Sequence, residues 1–245
     1  MRGYNIFEVY TMDNQFSRTE LLFGCEAMAK LKTSSVAIFG VGGVGGHVVE
    51  VLARTGIGHI AIIDNDKVSL TNLNRQIIAL HSTLGEYKVD VAKKRIHDIN
   101  PECTVEAHRM FYLPENAGNI DLKCYDYVVD CIDTITAKIE LVRRCHELSI
   151  PIISSMGAAN KIDATAFRVC DISKTNVDPL AKFMRKKLKK IGIENLKVVF
   201  SDEVPIKTPQ ELNEGERPIP ASNAFVPAAA GLIIGGEVIK DIVYK

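Results

Sequence analysis

Apolar runs alternate with helix-type patterns along the first two thirds of this 245-residue chain. Short β-branched runs typical of buried strands occupy residues 35–39, 59–64, 104–107, 125–131 and 150–154. Amphipathic helical patterns with recognisable stop signals lie at 46–54, 87–99 and 137–148. Because strands that alternate with helices form right-handed βαβ units, the pattern predicts an α/β fold with a largely parallel sheet.

The pattern changes after residue 170. The segment 174–190 carries seven Lys or Arg residues against a single Asp, which gives it a net charge of +6. A polar stretch without periodicity follows at 201–220, and an apolar helical pattern occupies 225–243. We therefore expect one domain over residues 1–245, with a basic helical insertion over 171–222 and a C-terminal helix that returns to the sheet.

Composition narrows the class of protein. The 30 basic and 30 acidic residues cancel, which excludes a uniformly basic nucleic-acid coat but leaves a local basic patch open. The 6 cysteines form no C-x-x-C pair, so no zinc is expected, and buried thiols in a reducing cytoplasm are the simplest interpretation. The longest apolar stretch, 224–234, is too short to cross a bilayer. We expect a cytoplasmic protein with no membrane partner.

A glycine loop at 40–45, with the sequence GVGGVG, follows the first predicted strand and opens the first predicted helix. In such a loop Gly40 permits a tight turn, Gly42 lets the backbone approach a phosphate, and Gly45 lets helix and strand pack closely. Asp64 ends the second predicted strand 19 residues after Gly45, where a carboxylate accepts from ribose hydroxyls. Together these features predict a Rossmann-like nucleotide site rather than a purely structural turn.

The residues that follow distinguish between nucleotides. The glycine loop and the acid by themselves would suit NAD, but Arg75 and Lys88 add cations, and Asp130 and Asp133 add carboxylates at a strand end. Hydride transfer needs no such concentration of cations. Attack of a carboxylate on the α-phosphate of ATP does, because Arg and Lys offset phosphate charge and Mg²⁺ held by an Asp steers the leaving pyrophosphate. The sequence therefore favours ATP.

These motifs together resemble the ubiquitin-activating-type adenylating enzymes, which include the activators of the molybdopterin and thiamine sulfur carriers. The resemblance implies their adenylation fold, with Asp64 on the ribose, Asn72, Arg75 and Lys88 on the ATP phosphates, and Asp133 as the Mg²⁺ ligand. The nucleotide-binding set expected on this basis is Gly40, Gly42, Gly43, Gly45, Asp64, Asp66, Asn72, Arg75, Gln76 and Lys88. The expected catalytic residues are Arg18, Arg75, Lys88 and Asp133.

Arg18, in the stretch FSRTE at 16–20, resembles the arginine of these enzymes that reaches the γ-phosphate of the neighbouring subunit's ATP. The resemblance thus implies a homodimer. The alternative is a solvated arginine at the head of a helix.

Further stretches resemble one branch of the superfamily, the tRNA threonylcarbamoyladenosine dehydratases. They lie at 16–22, 53–58, 74–77, 98–103, 174–180 and 225–232. This resemblance implies ATP-dependent adenylation of the threonyl carboxylate of threonylcarbamoyladenosine in tRNA. Intramolecular attack then closes a five-membered ring and releases AMP, a step that needs no catalytic cysteine. Whether an accessory protein takes part stays open.

Three other functions remain open at this stage. An activator of a ubiquitin-like sulfur carrier would bind a Gly-Gly protein C-terminus, but such enzymes usually carry zinc-binding C-x-x-C pairs and often a transfer cysteine. The only cysteine after residue 150 is Cys170, in a strand-like run. The others are an NAD-dependent dehydrogenase and a non-catalytic tRNA-binding module.

The basic segment itself predicts a helix that Asp178 caps and Pro179 begins. Its apolar stripe is expected to comprise Leu180, Phe183, Met184, Leu188 and Ile191. The outward cations are then Lys182, Arg185, Lys186, Lys189 and Lys190. Such a face can contact tRNA phosphates or can simply be solvated.

Overall fold

A seven-stranded sheet forms the centre of the computed structural model, which describes residues 14–209 and 219–244. Its strands are β1 (Ser35–Phe39), β2 (His59–Ile63), β3 (Thr104–His108), β4 (Tyr127–Asp130), β5 (Ile152–Ser155), β6 (Phe167–Asp171) and β7 (Lys197–Ser201). Their order across the sheet is β3-β2-β1-β4-β5-β7-β6. Every neighbouring pair is parallel except β6 with β7. The fold is thus the α/β, largely parallel type that the sequence predicts.

Helices cover both faces of this sheet. They are α1 (Ser17–Phe23), α2 (Cys25–Thr33), α3 (Gly45–Thr55), α4 (Lys88–Ile99), α5 (Ile135–Leu148), α6 (Pro179–Lys190) and α7 (Val226–Tyr244). Alternate residues of β1 point to opposite faces, so Val36 and Ile38 pack in the core with α3 and α7, whereas Ala37 and Phe39 pack in the core with α5. Within the described ranges, no helix combines the length and the apolar character needed to span a membrane.

The predicted strands and helices of the first 171 residues are confirmed, with ends that shift by a few residues. Strand β7 was not predicted. It lies within 171–222, the segment that the sequence suggested as a basic helical insertion, and pairs between β5 and β6. Segment 171–222 therefore supplies one helix and one strand to the same sheet and core; the path of 210–218 lies outside the described residues.

Helix α7 returns to the sheet, as predicted, and packs closely on α3. A Cβ at Gly231 would lie 2.3 Å from the carbonyl oxygen of Val44 and 2.7 Å from the Cβ of His47. One at Gly235 would lie 2.6 Å from the Cβ of Val51. The two glycines thus let the helix backbones approach each other, and this contact brings the start of α7 beside the glycine loop.

We predict that Gly231→Ala lowers the free energy of unfolding by about 1–3 kcal/mol, because the added methyl overlaps α3 backbone that cannot move away cheaply. Gly236→Ala is the matched control. It lies in the same helix with no atom within 4 Å of the added Cβ, and replacing a helical glycine by alanine adds up to about 1 kcal/mol of stability. Chemical denaturation of both variants checks this, and equal stabilities would contradict the close helix contact.

Candidate active site

The glycine loop lies at the point where the sheet reverses its strand order. Strands β1 and β4 are neighbours, and the chain leaves them in opposite directions, which opens a crevice at their carboxyl ends. Gly40 follows β1 with φ of 89°, and a Cβ there would lie 2.6 Å from the carbonyl oxygen of Cys131, just after β4. A Cβ at Gly45 would lie 1.9 Å from the oxygen of Gly40. Both positions require glycine on steric grounds alone.

Gly42 differs from these two. A Cβ on Gly42 would meet only the side-chain nitrogen of Gln76, at 3.8 Å. The loop therefore closes tightly at its two ends and is open at Gly42. An open glycine backbone at the start of a helix suits a phosphate, because free N–H groups and the positive end of the helix dipole point at it.

Asp64 is tied to the glycine loop. Its carboxylate accepts from the backbone N–H of Val41 at 2.7 Å and from that of Asp66 at 2.8 Å. Burial raises the pKa of this carboxyl group, while the charge of Lys88 and the two backbone donors lower it. The tether fixes the acid beside the loop, where the sequence places a ribose.

Lys88 begins α4 as a buried ammonium group. Its Nζ lies 2.7 Å from Asp66 Oδ2, and only 6% of its side chain is exposed. The partner carboxylate of Asp66 is exposed. The pair thus places one cation at the base of the crevice, close enough to Asp64 to act on its pKa.

The turn that follows β2 carries Asn72, Arg75 and Gln76. The Asn72 side chain accepts from the backbone N–H of Ser69 at 3.1 Å. The guanidinium group of Arg75 donates to the backbone oxygen of Thr71 in the same turn, at 2.9 Å. The Cγ of Arg75 would lie 3.4 Å from a Cβ at Gly43. The structure therefore brings an arginine and an amide against the glycine loop.

Gln76 has a further property. It is buried, and its Oε1 has no hydrogen-bond partner among the described residues. An unsatisfied buried acceptor next to Gly42 is consistent with a ligand donor at this point.

Asp130 and Asp133, which the sequence groups together, lie in different environments. Asp130 is fully buried, and its Oδ2 lies 2.9 Å from the Nζ of Lys138 and accepts from the hydroxyl of Ser154. Lys138 is equally buried and also donates to the oxygen of Ile132 at 3.1 Å. This ion pair occupies Asp130 and holds the turn that carries Asp133.

Asp133 itself is exposed, and its Oδ1 accepts from the Thr134 hydroxyl at 3.3 Å. No group of three His, Cys, Asp or Glu side chains in the described part of the chain is arranged to hold a metal ion. Protein sites for Mg²⁺ often use only one or two carboxylates and complete the shell with substrate phosphates and water. Asp133 fits Mg²⁺ only in that manner, as a single carboxylate ligand beside bound phosphates.

Arg18 is exposed on α1 and lies away from the glycine loop of its own chain. Just before this helix, the ring of Phe16 lies beside Gly56, which follows the far end of α3. At the end of α1, Phe23 contacts Tyr244 of α7 edge to face, with ring centroids 6.5 Å apart. Both contacts lie at the edge of the sheet opposite the glycine loop.

Helix α6 starts as predicted. Asp178 caps it by accepting from the backbone N–H of Ala181 at 2.8 Å. The exposed cations of this helix, hereafter the basic face, are Lys182, Lys186, Lys187, Lys189 and Lys190.

Two expectations about α6 were wrong. Arg185 does not point outward: it is half-buried, and its guanidinium donates to the carbonyl oxygen of Thr175 at 2.9 Å, where it satisfies the turn before the helix. The apolar stripe is also narrower than predicted, because Phe183 and Ile191 are 40% and 45% exposed. Ala181, Met184 and Leu188 form the buried side instead.

Comparison with known proteins is consistent with this site. Residues 16–243 match the ThiF family. The tRNA threonylcarbamoyladenosine dehydratase of Bacillus subtilis is 51% identical over 242 residues, which cover 94% of this chain and 95% of that protein. An adenylyltransferase and sulfurtransferase of Drosophila sechellia is 36% identical over 151 residues, which cover 61% of this chain and 33% of that protein.

Solved structures agree. The Escherichia coli tRNA N6-threonylcarbamoyladenosine dehydratase in complex with AMP superposes with a TM-score of 0.84 at 36% identity, over 93% of each chain. Its complex with ATP gives a TM-score of 0.82 at 34% identity, also over 93% of each chain.

Lys138 was not singled out in the sequence, and its pairing with Asp130 can be tested. We predict that Lys138→Met lowers the free energy of unfolding by about 3–5 kcal/mol, because it leaves a buried carboxylate without its counter-ion. The double variant Lys138→Met/Asp130→Asn should recover most of this loss, since neither charge is then buried alone. Urea denaturation of the single and double variants measures both values. A double variant no more stable than Lys138→Met would contradict the pairing.

Proposed function

Because this chain belongs to the ThiF family, we propose that its open glycine loop binds ATP and that it adenylates a carboxylate. It is an ATP-using enzyme, and its substrate is tRNA that carries threonylcarbamoyladenosine. The observation that supports this proposal most strongly is the 51% identity to the Bacillus subtilis dehydratase, which extends over 94% of the chain. The reaction is the ATP-dependent, dehydrative cyclisation of that nucleoside.

The chemistry follows from the arrangement of the crevice. A carboxylate oxygen of the threonyl group attacks the α-phosphorus of ATP; a new O–P bond forms, the α–β anhydride bond breaks, and pyrophosphate leaves. The carbamoyl group then attacks the acyl carbon and gives up a proton, and the former carboxylate oxygen departs on AMP. The nucleophile is already tethered to the acyl-adenylate, so proximity supplies much of the second step.

Individual residues divide this work. The open backbone at Gly42 lies where it can donate to phosphate oxygens, and Asp64 accepts from the ribose. Arg75 and Lys88 offset the charge that develops as pyrophosphate leaves. Asp133 would be the residue that holds Mg²⁺ beside the phosphates, where a bound ion would supply neutralisation of the leaving group's charge.

The position of Arg18 supports a homodimer. Helix α3 has 11 residues, and a helix rises about 1.5 Å per residue, so its two ends are roughly 16 Å apart. Arg18 lies near the far end, while the glycine loop lies at the near end. An Arg18 that contacts ATP therefore does so in a second subunit.

The sulfur-carrier alternative has less support. Cys170 lies half-buried in β6, and burial raises the pKa of its thiol. A protonated thiol is a poor nucleophile, so this cysteine does not suit thioester chemistry. A tRNA substrate, in contrast, gives the basic face of α6 a role in binding phosphates and places the protein in the cytoplasm.

Pyrophosphate exchange tests the proposed function. Labelled pyrophosphate should enter ATP when threonylcarbamoyl-tRNA and Mg²⁺ are present, and a Gly-Gly carrier protein should not replace the RNA. Arg75→Ala should reduce the exchange by at least about 100-fold through loss of transition-state charge stabilisation. Its matched control, Arg168→Ala, removes an exposed arginine of β6 that pairs with Asp202, just after β7, and should retain exchange.

Exchange that appears only with a Gly-Gly carrier would replace this function with sulfur-carrier activation. Full exchange in Arg75→Ala would remove that arginine from the site.

Charge reversal on the basic face tests the RNA contact. We predict that Lys186→Glu/Lys189→Glu weakens tRNA binding at least about tenfold and reduces its dependence on salt, because fewer counterions are released from the phosphates. ATP affinity should not change. The control Lys30→Glu/Lys123→Glu makes the same change in net charge at exposed lysines elsewhere. Filter binding at several salt concentrations measures the tRNA affinity of both double variants. If the two affinities are equal, the basic face is only a solvated surface.

A further inference from the structure

Lys161 is a buried lysine on the loop that follows β5. Its side chain is 1% exposed, and its Nζ donates to the oxygen of Gly157 at 2.8 Å and lies 3.3 Å from Asp178 Oδ2. That loop leaves the same edge of the sheet as Gly40 and Asp133. Lys161 therefore joins the rim of the crevice to Asp178.

Asp178 extends the connection into the basic helix. One oxygen accepts from the N–H of Gly157 at 3.1 Å, and the other caps α6 through Ala181. Asp178 is 2% exposed, so this carboxylate lies entirely between the loop and the helix. The start of α6 is thus held to the crevice rim by a buried charge pair and a backbone hydrogen bond.

The backbone of Lys161 leads in the other direction, to the glycine loop. Its carbonyl oxygen accepts from the side-chain amide of Asn223 at 2.8 Å. The Asn223 oxygen in turn accepts from the N–H of Val226 at 2.9 Å, at the start of α7. The next residue, Pro227, has its Cβ 3.3 Å from where a Cβ on Gly43 would lie. One residue therefore connects the basic helix with the loop proposed to bind ATP.

Stability alone gives a weak reason for such a pair. Taking an ammonium and a carboxylate out of water costs several kcal/mol per ion, and well-packed apolar replacements are often as stable or more so. A charged pair does fix the orientation of α6 and its separation from the loop after β5, because Lys161 contacts both Gly157 and Asp178.

We propose that Lys161 is a positioning residue, which holds the basic helix and the glycine loop in register so that tRNA bound on α6 presents its modified nucleoside to ATP. This inference rests on the proposed function. Lys161 touches no substrate in this arrangement, and its effect is on the relative placement of two bound substrates. Misplacement of reacting groups by about 1 Å can cost about 100-fold in rate.

The double variant Lys161→Met/Asp178→Asn is the test. It removes both charges, so no buried ion is left alone, and the asparagine oxygen can still cap α6. We expect kcat for AMP formation with threonylcarbamoyl-tRNA to fall by about 10–100-fold. The Kd for ATP and the Kd for tRNA should each stay within about twofold of wild type, since the groups that bind them are unchanged.

Lys197→Met is the matched control. Lys197 is a partly buried lysine on β7 that pairs with Glu237 at 2.7 Å and Asp241 at 2.8 Å on α7. It lies at the start of its strand, at the edge of the sheet away from the crevice. This variant should lose stability in thermal denaturation but keep the wild-type kcat well below its Tm.

The possible outcomes distinguish failure of the positioning role from failure of the proposed function. A double variant with wild-type kcat overturns the positioning role, as does one whose kcat falls only in proportion to ATP or tRNA affinity. If kcat falls by the same factor in Lys197→Met, the loss reflects general destabilisation, and the positioning role is again overturned. A wild-type protein that forms no AMP from threonylcarbamoyl-tRNA overturns the proposed function and, with it, this inference.

Discussion

The crevice depends on two backbone contacts that tolerate no side chain. Gly40 lies against the carbonyl group of Cys131, and Gly45 lies against the carbonyl group of Gly40. The first contact brings the ends of β1 and β4 together where the strand order reverses, and the second aims the start of α3 at the space between them. Asp64 then ties Val41 to the following turn. Arg75 and Gln76 lie against a loop whose geometry these contacts have already set, and Lys88 lies near Asp64.

Around this loop the protein buries charge in pairs. Asp130 with Lys138 and Asp178 with Lys161 are both almost fully inaccessible to water. A buried ion pair costs desolvation energy. Because two such pairs lie at the same edge of the sheet, we infer that the orientation of the turns they hold matters there. The zero net charge of the chain has a similar explanation. It is an average over a basic helix and a mildly acidic remainder.

Most of the fold follows from local patterns. The βαβ alternation, the glycine loop and the cap of α6 are each specified by residues a few positions apart, and the structure confirms all three. Strand β7 escaped prediction because its apolar run is short and lies between the basic helix and the polar stretch. What makes it a strand is the pairing with β5 and β6. Arg185 fits an outward position by helical periodicity, yet it turns toward the carbonyl groups before α6.

The candidate site divides in the same way. The sequence by itself determined which residue types lie around the glycine loop, because glycine sterics and the spacing to Asp64 are local properties of the chain. Only the tertiary structure decided that Asp130 is occupied by Lys138 while Asp133 stays exposed, that Arg18 lies far from its own glycine loop, and that Lys161 joins the basic helix to the crevice. Each of these depends on partners distant in sequence or on where an element packs, and the physics of burial and pairing acts on spatial neighbours, which a linear pattern does not specify.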